Sequence, residues 1–253
     1  MAQVFGIVAL KGGVGKTTLV ANLGAALAQK FDKKVLLIDA NFSTPHLGLH
    51  LGIINPDHSL HPVLNEEYSI YESIYQHPIG LHVIPGKLSP GEVEPLILKE
   101  KIQPLREIYD VILIDSSPSP NDEMVATMAA SDEILVVSSP DFPTLSSTIH
   151  AVKIAKEQKT PIRGIIVNKV RKKKFELGKR EISDALDSDV LAIIPDDVKV
   201  QAALARMLPV TSFAPRHKIS EHYYKLAADL IGEEYKKSLF SKLKSKKKKN
   251  ENK

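Results

Sequence analysis

The chain is 253 residues long with 43% hydrophobic content, enough to bury a full core in one large α/β domain, expected over residues 1–235. It contains no cysteine, which excludes a disulfide framework and any thiolate-held zinc or iron–sulfur site. The formal net charge of +4 is uneven: residues 236–253 carry nine lysines against one acid, a local net of +8, leaving −4 on the other 235 residues, so the charge argues for one tethering tail on a mildly acidic body.

In chain order, Val4 to Ala9 is an apolar run with the character of a buried parallel strand, and Leu19 to Ala28 has helical periodicity. Between them lies Leu10-Lys11-Gly12-Gly13-Val14-Gly15-Lys16-Thr17-Thr18. Strand, glycine-rich turn and helix form the context of a phosphate-binding loop. The glycines allow backbone N–H groups to close around phosphate oxygens, and the helix N-terminus adds partial positive charge. Lys16 is expected to place its charge on the β- and γ-phosphates, and the Thr17 hydroxyl to ligate Mg²⁺. Backbone from Gly12, Gly13, Val14, Gly15 and Thr18 would complete the cradle.

This loop departs from the generic pattern, whose first glycine falls on Leu10, and it carries an additional lysine, Lys11. Lys-Gly-Gly-Val-Gly-Lys-Thr-Thr resembles the deviant Walker A motif of the MinD/ParA family of ATPases. The resemblance implies ATP/ADP and Mg²⁺ as ligands. It also implies an ATP-dependent homodimer in which Lys11 reaches the partner's nucleotide. The lack of cysteine separates the chain from nitrogenase-iron-protein and scaffold-carrier relatives, which hold a cluster on cysteines.

Lys33 to Asp39 reads as a second buried strand ending in an acid, at the sheet edge where open α/β folds bind ligands. By the resemblance, Asp39 matches the first of two acids and partners the Mg²⁺ waters, while the acid that positions attacking water is replaced by Asn41. Asparagine keeps an acceptor oxygen but loses the charge and the capacity to take a proton. The expectation is nucleotide binding with slow or negligible hydrolysis; the alternative is that a neighbour such as Asp39 takes over. Residues 42–80 read as loop with short helical pieces, and His46 and His50, four apart without a third ligand at recognisable spacing, are assigned no metal.

Leu81 to Gly86 reads as a strand with a turn, and 92–109 as helix interrupted at Pro95 and Pro104. Tyr109 to Asp115 is an apolar strand closed by an acid, the Walker B shape, with Asp115 expected to hold Mg²⁺ through a water. The family's γ-phosphate-sensing segment falls on Ser116 to Ser119. A helix over 121–130 capped by Asn121 or Ser119, a strand over 133–138 and a helix to about Gln158 follow. The next strand ends in Asn168-Lys169, and the resemblance gives Asn168 the adenine edge. Arg171 to Lys174, with Lys179 and Arg180, form a basic patch read as a solvated loop, with a partner's acidic surface or DNA phosphates as the alternative it could serve. A last strand ends in Pro195-Asp196, which by resemblance packs against the purine, and helices are expected over 198–207 and 217–237.

Strands alternating with helices imply a doubly wound, mostly parallel sheet with helices on both faces, the three-layer architecture of P-loop NTPases. In the tail, Tyr235, Leu239 and Leu243 share a helical face with Phe240 beside them among lysines, a basic amphipathic segment similar in character to the membrane-targeting helix of MinD proteins. No apolar run reaches spanning length, so the expectation is a cytoplasmic protein peripherally associated with anionic membrane, with an unidentified protein partner. A ParA-like protein acting on nonspecific DNA and a regulatory ATP-binding protein with little turnover are the alternatives.

Overall fold

The structure is a computed structural model that describes residues 1–87 and 93–236. Apart from Lys236, the tail lies outside the described residues, and so does Glu92 at the start of the expected 92–109 helix.

The first strand, β1 (Gln3–Val8), leads through the glycine loop into α1 (Lys16–Phe31) and β2 (Val35–Ala40). Short helices α2 (Leu47–His50) and α3 (Leu60–Leu64) and a 3₁₀ turn (Ile70–Ser73) then precede the small strands β3 (Tyr75–Gln76) and β4 (His82–Ile84). The expected 92–109 helix is broken where its prolines fall: 3₁₀ turns at Pro95–Ile97 and Gln103–Glu107 flank a single helical stretch, α4 (Leu98–Ile102). Each proline lacks an N–H and sits in the first turn of its segment. The remaining units alternate: β5 (Val111–Ser116), α5 (Asp122–Ala130), β6 (Glu133–Ser138), α6 (Phe142–Glu157), β7 (Ile162–Val170), α7 (Lys179–Leu186) and β8 (Val190–Pro195), then α8 (Val198–Leu204), α9 (Val210–Phe213) and α10 (Lys218–Leu230).

The strands form one eight-stranded sheet in the order β3-β4-β2-β5-β1-β6-β7-β8. All neighbours pair in parallel except β3, which runs antiparallel to β4 at the edge. Every residue of β5 and β2 is buried, as continuous apolar runs require when helices cover both faces. Successive residues of β1 serve opposite layers. Phe5 and Ile7 pack with α1 and α10, whereas Val4 and Val8 face the side covered by α4, α5 and α6. Helix α1 lies close on the sheet because Gly24 has no side chain: a Cβ there would stand 2.5 Å from Leu37 Cδ2.

Two expectations are corrected. The basic stretch 171–180 is not a solvated loop throughout, because Lys179 and Arg180 open α7. The Glu181 carboxylate accepts the Gly178 N–H at 2.7 Å, and Glu176 accepts the Arg171 N–H at 2.8 Å and the Lys173 N–H at 3.1 Å, which pins the turn before it. The last helix stops at Leu230 rather than continuing to 237, because Gly232 takes a left-handed conformation (φ 67°) just beyond it.

Candidate functional site

β1 is the point at which strand order diverges, with β5, β2 and β4 to one side and β6, β7 and β8 to the other. Ligands of open α/β sheets bind at such a crevice, beyond the C-terminal strand ends. The loop after β1 turns there through two glycines in left-handed conformations, Gly13 (φ 78°) and Gly15 (φ 97°). Gly15 is doubly constrained, since a Cβ would lie 2.5 Å from Asn168 Nδ2, while a Cβ on Gly12 or Gly13 would meet nothing within 4 Å. Backbone amides of the loop and of α1's first turn therefore border an open cradle. Val14 is buried and anchors the loop in the core.

The cradle belongs to a cavity of about 390 Å³ lined by Gly12, Gly13, Lys16, Thr17, Asn41 and His46 among others, within the size of small-molecule sites. Lys16 is 7% exposed. Burial lowers its pKa and the Asp115 charge opposes the shift. Asp39 and Asp115 sit at paired positions on neighbouring strands. Burial, then the charge of Asp115, push the Asp39 carboxyl up to about 8, against hydrogen bonds from backbone N–H groups of its own loop. Burial pushes Asp115 up to about 6, opposed by the Thr17 hydroxyl and the charges of Lys16 and His46. Neither oxygen of Asp115 completes a hydrogen bond of ordinary geometry. Two crowded buried carboxyls, one with both oxygens open, beside a hydroxyl and a lysine are a donor set suited to a hard divalent cation with a polyphosphate. Thr17, Asp115 and Asp39 are the residues that would hold Mg²⁺, which would neutralise phosphate charge there.

Asp39 also clamps its own loop: Oδ2 accepts the Leu47 N–H at 2.9 Å and Oδ1 that of Asn41 at 3.3 Å. The Asn41 side chain closes a turn with Thr44, donating to its carbonyl at 2.6 Å and accepting from its N–H at 3.3 Å. Both residues line the phosphate half of the cleft. His50 lies there too, with Nε2 3.4 Å from the Thr18 hydroxyl and Nδ1 3.0 Å from the His46 carbonyl.

Lys11 directly precedes Gly12 in the loop. Within its own chain Nζ donates to Thr144 Oγ1 at 2.8 Å and pairs with Asp141 at 3.3 Å. Partial burial alone would raise the Asp141 pKa, but hydrogen bonds from Ser139, Thr144 and Lys11 hold it down at about 2.

A second half of the cleft opens beyond Gly15 and Thr18, lined by Asn168, Lys169, Pro195, Asp196 and Tyr223 among others. Here the side chains are already engaged. Asn168 Nδ2 donates to the Val14 carbonyl at 2.8 Å, and the Asp196 carboxylate is held by Arg171 Nε at 2.6 Å. Lys169, given no role by sequence reasoning, donates Nζ to the Gly13 carbonyl at 2.6 Å and borders both halves. Its only signal was its place after Asn168 at a strand end.

A parallel sheet with a glycine loop at its switch point, buried carboxyls and an extra loop lysine defines a nucleotide-binding P-loop protein of the deviant type. Residues 5–210 match the CobQ/CobB/MinD/ParA nucleotide-binding domain, and the chain belongs to that family. An uncharacterized ATP-binding protein of Methanocaldococcus jannaschii is 32% identical over 88% of this chain and 85% of its own length. The cell division ATPase MinD of Pyrococcus furiosus superposes with a TM-score of 0.86 at 29% identity, covering 92% of this chain and 99% of that one. The septum site-determining protein MinD of Pyrococcus horikoshii, solved with Mg-ADP, gives 0.85 at 28% identity, covering 91% and 96%. The chain is thus a MinD/ParA-family ATP-binding protein. Among the described residues no helix is long and apolar enough to cross a membrane.

Proposed function

We propose that the chain is a MinD-like switch that binds Mg-ATP in the cleft around Lys16, dimerises on ATP and docks reversibly on anionic membrane to position other assemblies, such as division machinery. The observation that carries this reading is the glycine loop whose buried Lys16 lines a cleft with Thr17 and Asn41, and in which the half-exposed Lys11 directly precedes Gly12. Lys16 would hold the β- and γ-phosphates, with Thr17 and Asp115 on the cation and Asp39 behind them. Asn168, Pro195 and Asp196 would border the adenine. Lys11 would exchange its contact with Asp141 for the nucleotide of a second copy. Asn41 would orient water without removing its proton, so turnover would be slow.

Membrane docking rests on residues 236–253. Each lysine near an anionic leaflet contributes about 1 kcal/mol, and each large apolar side chain at most about 1.5–3 kcal/mol when fully buried. One copy would bind weakly, while two copies on a dimer gain avidity. Size-exclusion with ATP and with ADP, followed by sedimentation with phosphatidylglycerol-containing liposomes and with duplex DNA, tests the reading. The expected result is an ATP-specific dimer that sediments with liposomes and loses them when the last 18 residues are deleted. Liposome binding unchanged by that deletion would overturn the membrane part. Retention on DNA that falls steeply with salt would favour the partitioning alternative.

A further inference from the structure

The loop that carries Asn41 is held from behind by an acid on a different element. Ser43, between Asn41 and Thr44, donates its hydroxyl to Glu123 Oε1 at 2.5 Å. Glu123 stands in the first turn of α5, the helix that follows the segment 116–121, and Pro118 of that segment lines the phosphate half of the cleft. Glu123 is 9% exposed, and its second carboxylate oxygen has no hydrogen-bond partner. A hydrogen bond to a buried carboxylate in low dielectric is among the stronger polar contacts available, and the start of α5 favours negative charge.

Beneath lies His61 of α3, 4% exposed, its ring edge-on to Phe42 at 5.2 Å and 82°. Burial lowers its pKa, while the Phe42 backbone and the Glu123 charge oppose that shift. The two residues after Asn41 are therefore both fixed, Phe42 on α3 and Ser43 on α5.

We propose that Glu123 is a positioning residue of the nucleotide site. Through Ser43 it locks loop 41–46 to α5, so that the two segments bordering the phosphate half of the cleft move as one body. The link rests on the nucleotide reading only for its consequence, since the contact itself is made without ligand.

Amide hydrogen exchange on the full-length chain tests this in the absence of nucleotide, with melting temperature as the control for folding. Ser43→Ala and Glu123→Ala should each raise exchange at least about tenfold both in 41–47 and in 117–122, the segment remote from each change included. The double variant should exceed neither single one, because one contact is lost in all three. Glu123→Gln keeps an acceptor oxygen but loses the charge and should fall between the wild type and Glu123→Ala. Exchange confined to the segment that bears the substitution, additive effects in the double variant, or a glutamine variant as loose as the alanine one would each overturn the proposal. If Glu123→Ala does not fold, the response of 117–122 to Ser43→Ala decides. A parallel run with Mg-ADP should slow exchange in both segments of the wild type. Absence of protection anywhere would refute the nucleotide reading, while the Ser43–Glu123 link would still stand or fall on the ligand-free exchange alone.

Discussion

Lys16 illustrates how one buried cation is maintained. It is 7% exposed, and burial works against its charge, so the ammonium depends on anions around it, Asp115 in the free protein and phosphates in the proposed complex. Hydrogen bonds to charged groups are worth about 1.5–3 kcal/mol. Lys16→Ala should therefore weaken ADP binding by about 10- to 150-fold while leaving the circular dichroism spectrum unchanged; calorimetric titration checks both affinity and stoichiometry. At Asn41 the expectation runs in the other direction. Restoring an acid with Asn41→Asp should raise ATP turnover by about tenfold or more, and a phosphate-release assay with an already fast wild type that gains nothing would sink the argument.

At the scale of elements, α6 carries a cap that is also a contact of the cleft. Asp141 precedes the helix and accepts the Thr144 N–H at 2.9 Å, which satisfies one of the donors a helix start leaves open. It also holds Lys11, through an ion pair with about 40% of each side chain exposed, a contact that solvent screens to little net value. Asp141→Ala should thus cost about 1 kcal/mol of stability, nearly all of it from the cap, and release Lys11. Urea denaturation measures the first effect. Lys11→Ala, which leaves the cap in place, should change stability far less, and that difference separates the two contributions. The small left-handed turns of the glycine loop belong to the same scale, since Gly15 has neither the backbone conformation nor the space for a side chain.

Across the whole molecule, the crowded pair Asp39–Asp115 couples stability to pH. Both carboxyls have folded-state pKa values above the ordinary 3.8, about 8 and about 6. From about pH 4 upward these two carboxyls therefore hold more protons in the folded protein than in the unfolded chain, and this contribution to stability is lost as pH rises towards 8. His50, His61, His82 and His222, whose pKa values burial lowers from 6.5, act in the opposite direction in the lower part of this window, so the pair's share is read as a difference. Without ligand, the melting temperature of the wild type should fall relative to that of Asp39→Asn between pH 5.5 and pH 8. A divalent cation binds the deprotonated carboxylates, so the rise in melting temperature given by Mg-ADP should be larger at pH 8 than at pH 5.5. Differential scanning fluorimetry across that range checks both slopes.

Much of this protein was readable in one dimension because its signals are local. Glycines that permit left-handed turns, an apolar run closed by an acid and a helix beginning after a capping residue are all properties of neighbours in the chain. They suffice for the doubly wound α/β class, and they indicate residues 16, 17, 39 and 115, which the structure does bring to one sheet edge. The engagements of the side chains were decided only in three dimensions. Lys169 on the Gly13 carbonyl, Asn168 on Val14, Lys11 on Asp141 and Glu123 behind Ser43 each join segments far apart in the chain. Their partners follow from the order of strands in the sheet, which sets β5 and β6 on either side of β1; that order is a consequence of packing both helical layers at once, and no stretch of residues encodes it alone.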